Sequence, residues 1–131
     1  MSTIFSKIIE GKIPAYKVAE SDKFLAFLDI SPLQKGHTLV IPKVEVDYLF
    51  DLEDELLQEM IVFAKSVAHK IKFAIPCKRI GVTVIGLEVP HAHIHLVPIN
   101  QMADMNFAGP KLNLSSDELK RIAEQIASAK V

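Results

Sequence analysis

Three histidines alternate with apolar residues in the stretch His91-Ala92-His93-Ile94-His95. Successive side chains of a β-strand point to opposite faces, so this spacing predicts a strand over 91–97 with three imidazoles on one face. Ala92, Ile94 and Leu96 are then expected to pack against the core on the other face. Each imidazole has two nitrogens that need partners away from water, so packing alone rarely selects three in a row. The row therefore indicates a chemical role.

A metal site is one chemistry that such a row could support, since histidine nitrogens are common metal ligands. Histidine sites commonly add a carboxylate, but the nearest acids are Glu88 before the row and Asp104 well after it. The chain also lacks an H-E-x-x-H pattern and has a single cysteine, Cys77. We therefore expect neither a metal nor another cofactor.

Covalent catalysis at phosphorus is the favoured alternative. A neutral imidazole attacks phosphorus through a free nitrogen and leaves readily when water attacks the adduct. Its other nitrogen must then hold the proton and be fixed by a partner. Further histidines can act as that partner, as proton donors or as donors to phosphate oxygens. The chain carries neither G-x-x-x-x-G-K-[ST] nor G-x-G-x-x-G, so the histidine cluster itself would have to bind any phosphate.

The composition indicates one domain that spans residues 1–131. The net charge is -1 and the isoelectric point is about 6.5, which argues against a polynucleotide partner. We expect neither a signal peptide nor a membrane span, and one cysteine cannot form an intrachain disulfide. These features favour a cytoplasmic protein. Hydrophobic residues make up 50% of the chain and the mean hydropathy is +0.26, which hints at a subunit interface.

The elements that must position the histidines begin with a short helix and three strands. The apolar spacing predicts a helix over 4–10, followed by Gly11 as its natural end. The predicted strands cover 16–19, 24–29 and 38–41. His37, the fourth histidine of interest, stands at the head of the third of these strands.

A long helix is predicted over 53–73, and it carries two apolar stripes. A helix that covers one sheet face needs only one stripe. The second stripe, formed by Leu57, Ile61 and Ala68, therefore predicts a further contact, which we expect to be a homodimer interface. The remaining histidine, His69, falls on the polar side of this helix and is expected to be an ordinary surface residue.

The predicted architecture is α+β. Strands over 79–85 and 91–97 are joined too tightly for a parallel crossover, so a five-stranded antiparallel sheet is expected. Residues 100–113 are predicted to be irregular, and a capping box of Ser115 and Glu118 starts the C-terminal helix. The helices should cover one face of the sheet.

The histidine row resembles the H-φ-H-φ-H-φ-φ signature of the histidine triad (HIT) family of nucleotide hydrolases and transferases, in which φ is apolar. Other stretches are similar to that family and follow its order: residues 4–9, 11–14, 25–32 and 36–43. The resemblance covers about residues 4–98 and is closest to the purine nucleoside phosphoramidase-like branch. It leaves 99–131 as a variable segment and helix, and it implies a HIT-like fold.

The resemblance implies a role for each histidine of the cluster. His93 is expected to be the nucleophile that attacks the α-phosphate. His91 and His37 are expected to form a relay that orients His93 and shares its proton. His95 is expected to donate to phosphate oxygens or to the leaving group.

A nucleotide pocket is implied in the same way. Asp29 is expected to accept the ribose hydroxyls, as a carboxylate can do through both oxygens. Phe5, Ile8, Phe27 and Ile30 are expected to wall the base pocket. Glu88 lies in the turn before the row, where it would either repel the phosphates or polarise a leaving group or water.

The chain departs from the family pattern at two places. Leu87 and Glu88 stand where many members carry polar residues that contact phosphate. Thr3, Ser6 and Glu45 occupy the positions at which some members hold zinc through two cysteines and a histidine, so that zinc site is expected to be absent.

The expected function is hydrolysis at the α-phosphate of nucleoside phosphoramidates or related nucleotidyl compounds, with a purine preferred. A covalent nucleotidyl-histidine would form, and water would release the nucleoside monophosphate. The alternatives are a dinucleoside polyphosphate hydrolase and a nucleotide-binding regulatory protein with vestigial hydrolysis.

Overall fold

The computed structural model describes residues 3–131; Met1 and Ser2, the first residues of the predicted domain, lie outside the described residues. Over the described range the strands form a five-stranded antiparallel sheet in the order β1-β2-β3-β5-β4. The strands are β1 (Lys17–Glu20), β2 (Phe24–Leu28), β3 (Thr38–Pro42), β4 (Arg79–Thr83) and β5 (Ile94–Ile99). The helices are α1 (Ile4–Ile9), α2 (Asp54–Ala74) and α3 (Ser116–Ala127), with short 3-10 helices at Leu49–Asp51 and Met102–Met105. The predicted α+β class and antiparallel sheet are confirmed.

One face of the sheet carries the main hydrophobic core. The strand residues on this face pack under α2 and α3, and they include Ala26, Val40, Ile94 and Leu96. The helices supply Met60, Ala64, Val67 and Ile71 from α2, and Leu119, Ile122, Ala123 and Ile126 from α3. Spacings of three and four residues place each set on one side of its helix, which explains why both helices dock here.

The opposite face of the sheet carries α1 and the histidines. Phe5 and Ile8 of α1 pack on strand residues of this face, namely Leu25, Phe27, Leu39 and Ile41. The expectation that the helices cover one face therefore holds for α2 and α3 but not for α1. Gly11 adopts a positive φ of 79° after α1, a conformation that costs glycine little, and this turn ends the helix.

The row of histidines enters the sheet later than its pattern predicts. β5 begins at Ile94, where Val40 is its partner on β3, and His95 lies opposite Leu39. Before that point the chain bonds elsewhere, since the Ala92 N–H donates to Val46 O at 2.7 Å. Pro42 ends β3 and has no N–H to extend the ladder. The first two histidines therefore belong to the approach to the strand.

The C-terminal segment crosses the histidine face before it reaches α3. Asp104 completes the capping box of a short 3-10 helix within the stretch predicted to be irregular, accepting from Gln101 N at 3.2 Å. The Leu112 N–H donates to Pro32 O at 2.8 Å, which ties the segment to the loop after β2. Ser115 Oγ then caps α3 by accepting from Glu118 N at 3.1 Å.

Within the described residues, none of the helices combines the length and the apolar character that a membrane crossing requires. His69 is exposed on α2, as its pattern predicts. Of the second apolar stripe predicted on this helix, Ile61 is exposed, whereas Leu57 and Ala68 pack against the main core, so the prediction that this stripe makes a separate contact is wrong for these two residues.

Candidate active site

A pocket of about 470 Å³ lies on the histidine face between α1, the 85–89 loop and the C-terminal segment. Nine of the ten predicted site residues line it: Phe5, Ile8, Phe27, Asp29, Ile30, His37, Glu88, His93 and His95. His91 is fully buried beneath this lining. The structure thus brings together residues from α1, the end of β2, the start of β3 and the histidine row.

The hydrogen bond of His93 determines which of its nitrogens is free. His93 Nδ1 lies 2.7 Å from the carbonyl oxygen of His91, and a carbonyl can only accept. Nδ1 therefore carries the proton, and Nε2 of the neutral ring carries an unshared electron pair. The bond runs to the His91 main chain and not to its imidazole.

His37 and His95 form a second, directional pair. The Leu33 N–H donates to His37 Nδ1 at 3.0 Å, so the proton of the neutral His37 ring is on Nε2. His37 Nε2 lies 3.0 Å from His95 Nδ1, to which it donates. The proton of His95 is then on Nε2. Side-chain contacts therefore link His37 to His95, whereas the sequence argument had linked His37 to His93.

Two Nε2 atoms therefore face the pocket, and they differ in protonation: that of His93 carries an electron pair and that of His95 carries a proton. Neither His93 Nε2 nor His95 Nε2 bonds to protein, and no side-chain N or O in the described part of the chain is buried without a partner. Both atoms must therefore be open to the pocket, and the two ring centroids are 4.8 Å apart. A free electron pair and an N–H donor stand side by side.

Burial favours the neutral form of His37, His91 and His95. It lowers the pKa of His37 to about 3, and the nearby His95 and Lys111 lower this pKa further, because each would repel a proton on His37 when it is itself charged. Burial also lowers the pKa of His95 to about 4. The pKa of His91 is lowered as well, mainly by burial. Because all three rings are neutral at pH 7, the tautomers set by their hydrogen bonds persist there.

Asp29 and the apolar walls occupy the neighbouring part of the pocket. Asp29 Oδ1 accepts from Ser31 N at 2.8 Å, and Oδ2 lies 3.7 Å from His37 Nε2. Burial raises the pKa of Asp29. Phe5 meets both Phe27 and His93 edge to face, with ring centroids 5.5 Å and 5.1 Å apart. An apolar slot therefore leads from α1 to the reactive nitrogens.

The chain is similar to known proteins over most of its length. The family model described as HIT domain matches residues 10–102. An uncharacterized HIT-like protein of Borreliella burgdorferi is 36% identical over 132 residues, which cover 95% of each chain. Adenosine 5'-monophosphoramidase of Schizosaccharomyces pombe is 36% identical over 134 residues, which cover 98% of each. A crystal structure of a HIT-like protein from Bartonella henselae superposes with a TM-score of 0.86 at 31% identity, covering 98% of this chain and 96% of the other.

The chain belongs to the HIT domain family.

The positions at which some HIT proteins hold zinc are close together in this member, but their chemistry differs. Thr3 Oγ1 lies 3.0 Å from His91 Nδ1, and Thr3, Ser6 and Glu45 contact one another. Two hydroxyls and a carboxylate replace thiolates and an imidazole, which are the ligands that structural zinc prefers. The donor set of this HIT protein does not fit such a zinc site.

A second cluster of metal-type ligands lies in the HIT pocket itself. Asp29, His37 and His95 place one potential ligand atom each within 4.8 Å of the others. His37 Nδ1 already accepts from Leu33 N, so Nε2 carries a proton and offers no electron pair to an ion. This cluster fits a hydrogen-bonded relay and not a metal site.

Sequence reasoning missed two pocket residues from the variable segment, Phe107 and Lys111. The Phe107 ring meets His95 and His37 edge to face, at centroid distances of 4.8 Å and 5.9 Å. Lys111 Nζ donates to Phe107 O at 2.6 Å and to Gly109 O at 3.2 Å. Among the described lining residues, Lys111 is the single lysine or arginine. Phe107, the single aromatic residue between residues 100 and 113, was the one signal available.

Proposed function

We propose that this HIT protein hydrolyses nucleoside phosphoramidates, or related nucleotidyl compounds, at the α-phosphate. The observation that carries the proposal is the pair of Nε2 atoms in the pocket, one bare on His93 and one protonated on His95. A nucleophile needs the first, and a leaving group or phosphate oxygen needs the second. The name of the Schizosaccharomyces pombe relative, adenosine 5'-monophosphoramidase, supports the same class of substrate.

The reaction would run in two steps. His93 Nε2 forms a bond to the α-phosphorus while the bond to the leaving nitrogen breaks with its electron pair. The leaving nitrogen takes up one proton, and the water that later attacks the nucleotidyl-histidine gives one proton back, so the steps sum to hydrolysis. His95 Nε2 would give its proton to the leaving nitrogen in the first step and take a proton from the attacking water in the second, while the His91 carbonyl stabilises the positive charge on His93 through Nδ1–H.

The rest of the pocket would hold the nucleoside. Phe5, Phe27, Ile8 and Ile30 offer an apolar slot that suits a purine, and Asp29 has a free carboxylate oxygen for the ribose hydroxyls. Glu88 lines the pocket from the exposed loop before the histidines, where it can polarise a water or a leaving group.

Trapping the covalent intermediate tests the proposal. The protein is mixed with adenosine 5'-phosphoramidate labelled in its phosphate, quenched within one turnover, and digested for mass spectrometry. We expect label on His93 in the wild type and in a His69→Ala control, which removes an exposed histidine on α2. Label on another residue would refute the assigned nucleophile, and hydrolysis without any adduct would refute the two-step reaction.

A dinucleoside polyphosphate hydrolase is the second candidate. Lys111 favours it, because a fixed positive charge at the pocket suits a leaving group that is itself a phosphate. Release of the monophosphate from diadenosine polyphosphates, measured against release from the phosphoramidate, distinguishes the two.

We also propose that the protein is a homodimer. Ile61, Val62 and Phe73 are exposed on α2, and Val82 and Val84 are exposed on or beside the edge strand β4. Large apolar side chains on a helix and an unpaired strand edge are features that subunit contacts cover. Sedimentation at micromolar concentration should give twice the chain mass of 14.6 kDa, and a compact species at the chain mass would contradict the proposal.

A further inference from the structure

A hydrogen-bonded chain connects His91 to the protein surface on the side away from the pocket. Thr3 Oγ1 lies 3.0 Å from His91 Nδ1 and 3.1 Å from Ser6 Oγ. Ser6 Oγ donates to the carboxylate of Glu45, which also accepts from Thr3 N at 3.2 Å. Thr3 is buried and Glu45 is exposed. We call these residues the Thr3–Ser6–Glu45 chain.

The protons along this chain can be assigned from its partners. His91 Nε2 lies 2.9 Å from Pro42 O, and because a carbonyl only accepts, Nε2 carries the proton. The Nδ1 of the neutral His91 ring is therefore an acceptor. Thr3 Oγ1 already accepts from Ser6 N at 2.9 Å, which leaves its own hydroxyl proton free to satisfy Nδ1.

Glu45 determines where the Thr3 hydroxyl stands. Its carboxylate accepts from one group at each end of the first turn of α1, the Thr3 N–H and the Ser6 O–H. These bonds tie the start of α1 to the loop after β3. The Ser6 bond lowers the pKa of Glu45, which keeps the carboxylate ionised and accepting.

His91 transmits this arrangement to the active nitrogen. The same residue whose ring is held at both ends offers its main-chain carbonyl to His93 Nδ1 at 2.7 Å. A tilt or tautomer change of the His91 ring that displaced this carbonyl would remove the acceptor of His93 Nδ1, and the proton of His93 would then be able to move to Nε2. A His93 ring with its proton on Nε2 is no longer a nucleophile at that nitrogen.

We propose that the Thr3–Ser6–Glu45 chain positions the nucleophile by holding His91 in one tautomer and orientation. The proposal rests on the function proposed above for His93. None of the three residues reaches the pocket, so they act through His91 and are positioning residues.

A simple helix cap is the competing explanation for Thr3, and the two roles can be separated. A cap needs only an acceptor for Ser6 N, which aspartate supplies as well as threonine does. Positioning His91 also needs the hydroxyl proton, which an ionised aspartate lacks. Thr3→Asp therefore keeps the cap and removes the donor, Thr3→Val removes both, and Thr3→Ser restores both. Ser115→Asp is the matched control, since Ser115 caps α3 with no histidine beside it.

The test combines turnover of adenosine 5'-phosphoramidate, binding of adenosine monophosphate, and nitrogen NMR of the histidine tautomers. Leaving the buried His91 Nδ1 without its donor should lower kcat by about 10-fold in Thr3→Asp and Thr3→Val. Monophosphate affinity should stay close to wild type, and Thr3→Ser and Ser115→Asp should retain wild-type kcat. Glu45→Gln, which keeps the shape and removes the charge, should lower kcat by a smaller factor.

Two results would overturn the inference. One is wild-type kcat and an unchanged His93 tautomer in Thr3→Asp, which would make Thr3 a cap alone. The other is monophosphate affinity that falls in parallel with kcat, which would mean that the pocket itself is damaged. If the wild type turned over no phosphoramidate, the proposed function would fail separately. The tautomers would then decide this inference: a proton on His93 Nδ1 in the wild type and a mixture in Thr3→Asp supports it, and identical signals refute it.

Discussion

The two faces of the sheet differ in the interactions that hold them: apolar packing on one and, around the histidines, hydrogen bonds on the other. The face under α2 and α3 is packed with aliphatic and aromatic side chains that need only fit one another. The face under α1 holds four histidines, and every buried side-chain nitrogen or oxygen in residues 3–131 has a partner. Apolar contacts are not directional, so a substitution that changes the shape of a core side chain lowers stability but usually leaves the fold intact. A hydrogen-bonded cluster instead specifies which atom holds each proton, so changes there should remove chemistry first.

The largest effect should come from His93 on the polar face. His93→Ala deletes the bare Nε2 while leaving Phe5, Phe27 and Asp29 in place, so turnover should fall by about four orders of magnitude or more. Adenosine monophosphate should still bind, and the urea midpoint should change little. Substantial turnover by His93→Ala, or unfolding of this variant, would contradict the view that changes on the histidine face remove chemistry before stability.

The next largest effect should come from the apolar face, where a substitution should lower stability and leave activity unchanged. Met60 is fully buried on α2, and Met60→Ala should lower the free energy of unfolding by about 2–5 kcal/mol through lost contacts and a cavity. Activity per folded molecule should stay near the wild-type value. Lys65→Ala, at an exposed position on the same helix, is the control and should change stability by less than about 0.5 kcal/mol. A drop in kcat for Met60→Ala at full folding would show that the two faces are coupled.

Acid should weaken the polar face specifically. The pKa values of His37 and His95 are lowered to about 3 and about 4, so below pH 6.5 the unfolded chain binds protons that the folded chain does not. Stability is therefore full above pH 6.5 and falls as the pH drops toward 4, with a slope of up to about 1.4 kcal/mol per pH unit for each ring. The raised pKa of Asp29 has the opposite effect on stability. Between pH 3.8 and that raised pKa the folded chain binds a proton that the unfolded chain does not, so a fall in pH through this range increases stability.

Urea unfolding at several pH values measures this slope. His37→Asn should flatten it, because asparagine has no proton to gain, whereas the exposed His69→Ala should leave it unchanged. A wild-type stability that is constant between pH 7 and pH 5 would contradict the neutral cluster.

The same contrast explains what could be predicted from the sequence. Strand alternation and helix spacing report which side chains are apolar, so they predicted the sheet, the helices and the face of the histidine row. They cannot report hydrogen-bond direction, which depends on the backbone of distant residues. Nothing in the pattern shows that Leu33 N–H fixes the tautomer of His37, or that the His91 carbonyl, not its ring, holds His93.

The path of the C-terminal segment could not be predicted from the sequence for a different reason. Residues 100–113 have no periodicity, and their course is determined by individual bonds such as Leu112 N to Pro32 O. Thr3 illustrates the same limit at the other end of the chain. Its sequence position suggested a missing zinc ligand, whereas its hydroxyl bonds to His91 88 residues away.

The smallest effect should come from Lys111, the pocket cation that sequence analysis missed. Lys111→Met keeps the unbranched stem of the side chain and removes its charge and its bonds to Phe107 O and Gly109 O. Against a substrate with a phosphate leaving group, an exposed charge of this kind should contribute about 1 kcal/mol, so kcat/KM should fall by about five-fold. Against adenosine 5'-phosphoramidate, whose leaving group is neutral, the loss should be smaller. The ratio of the two losses is the measurement, and Lys35→Met, outside the described pocket lining, is the control. Equal losses on both substrates would mean that Lys111 only ties down the loop that places Phe107 on His95.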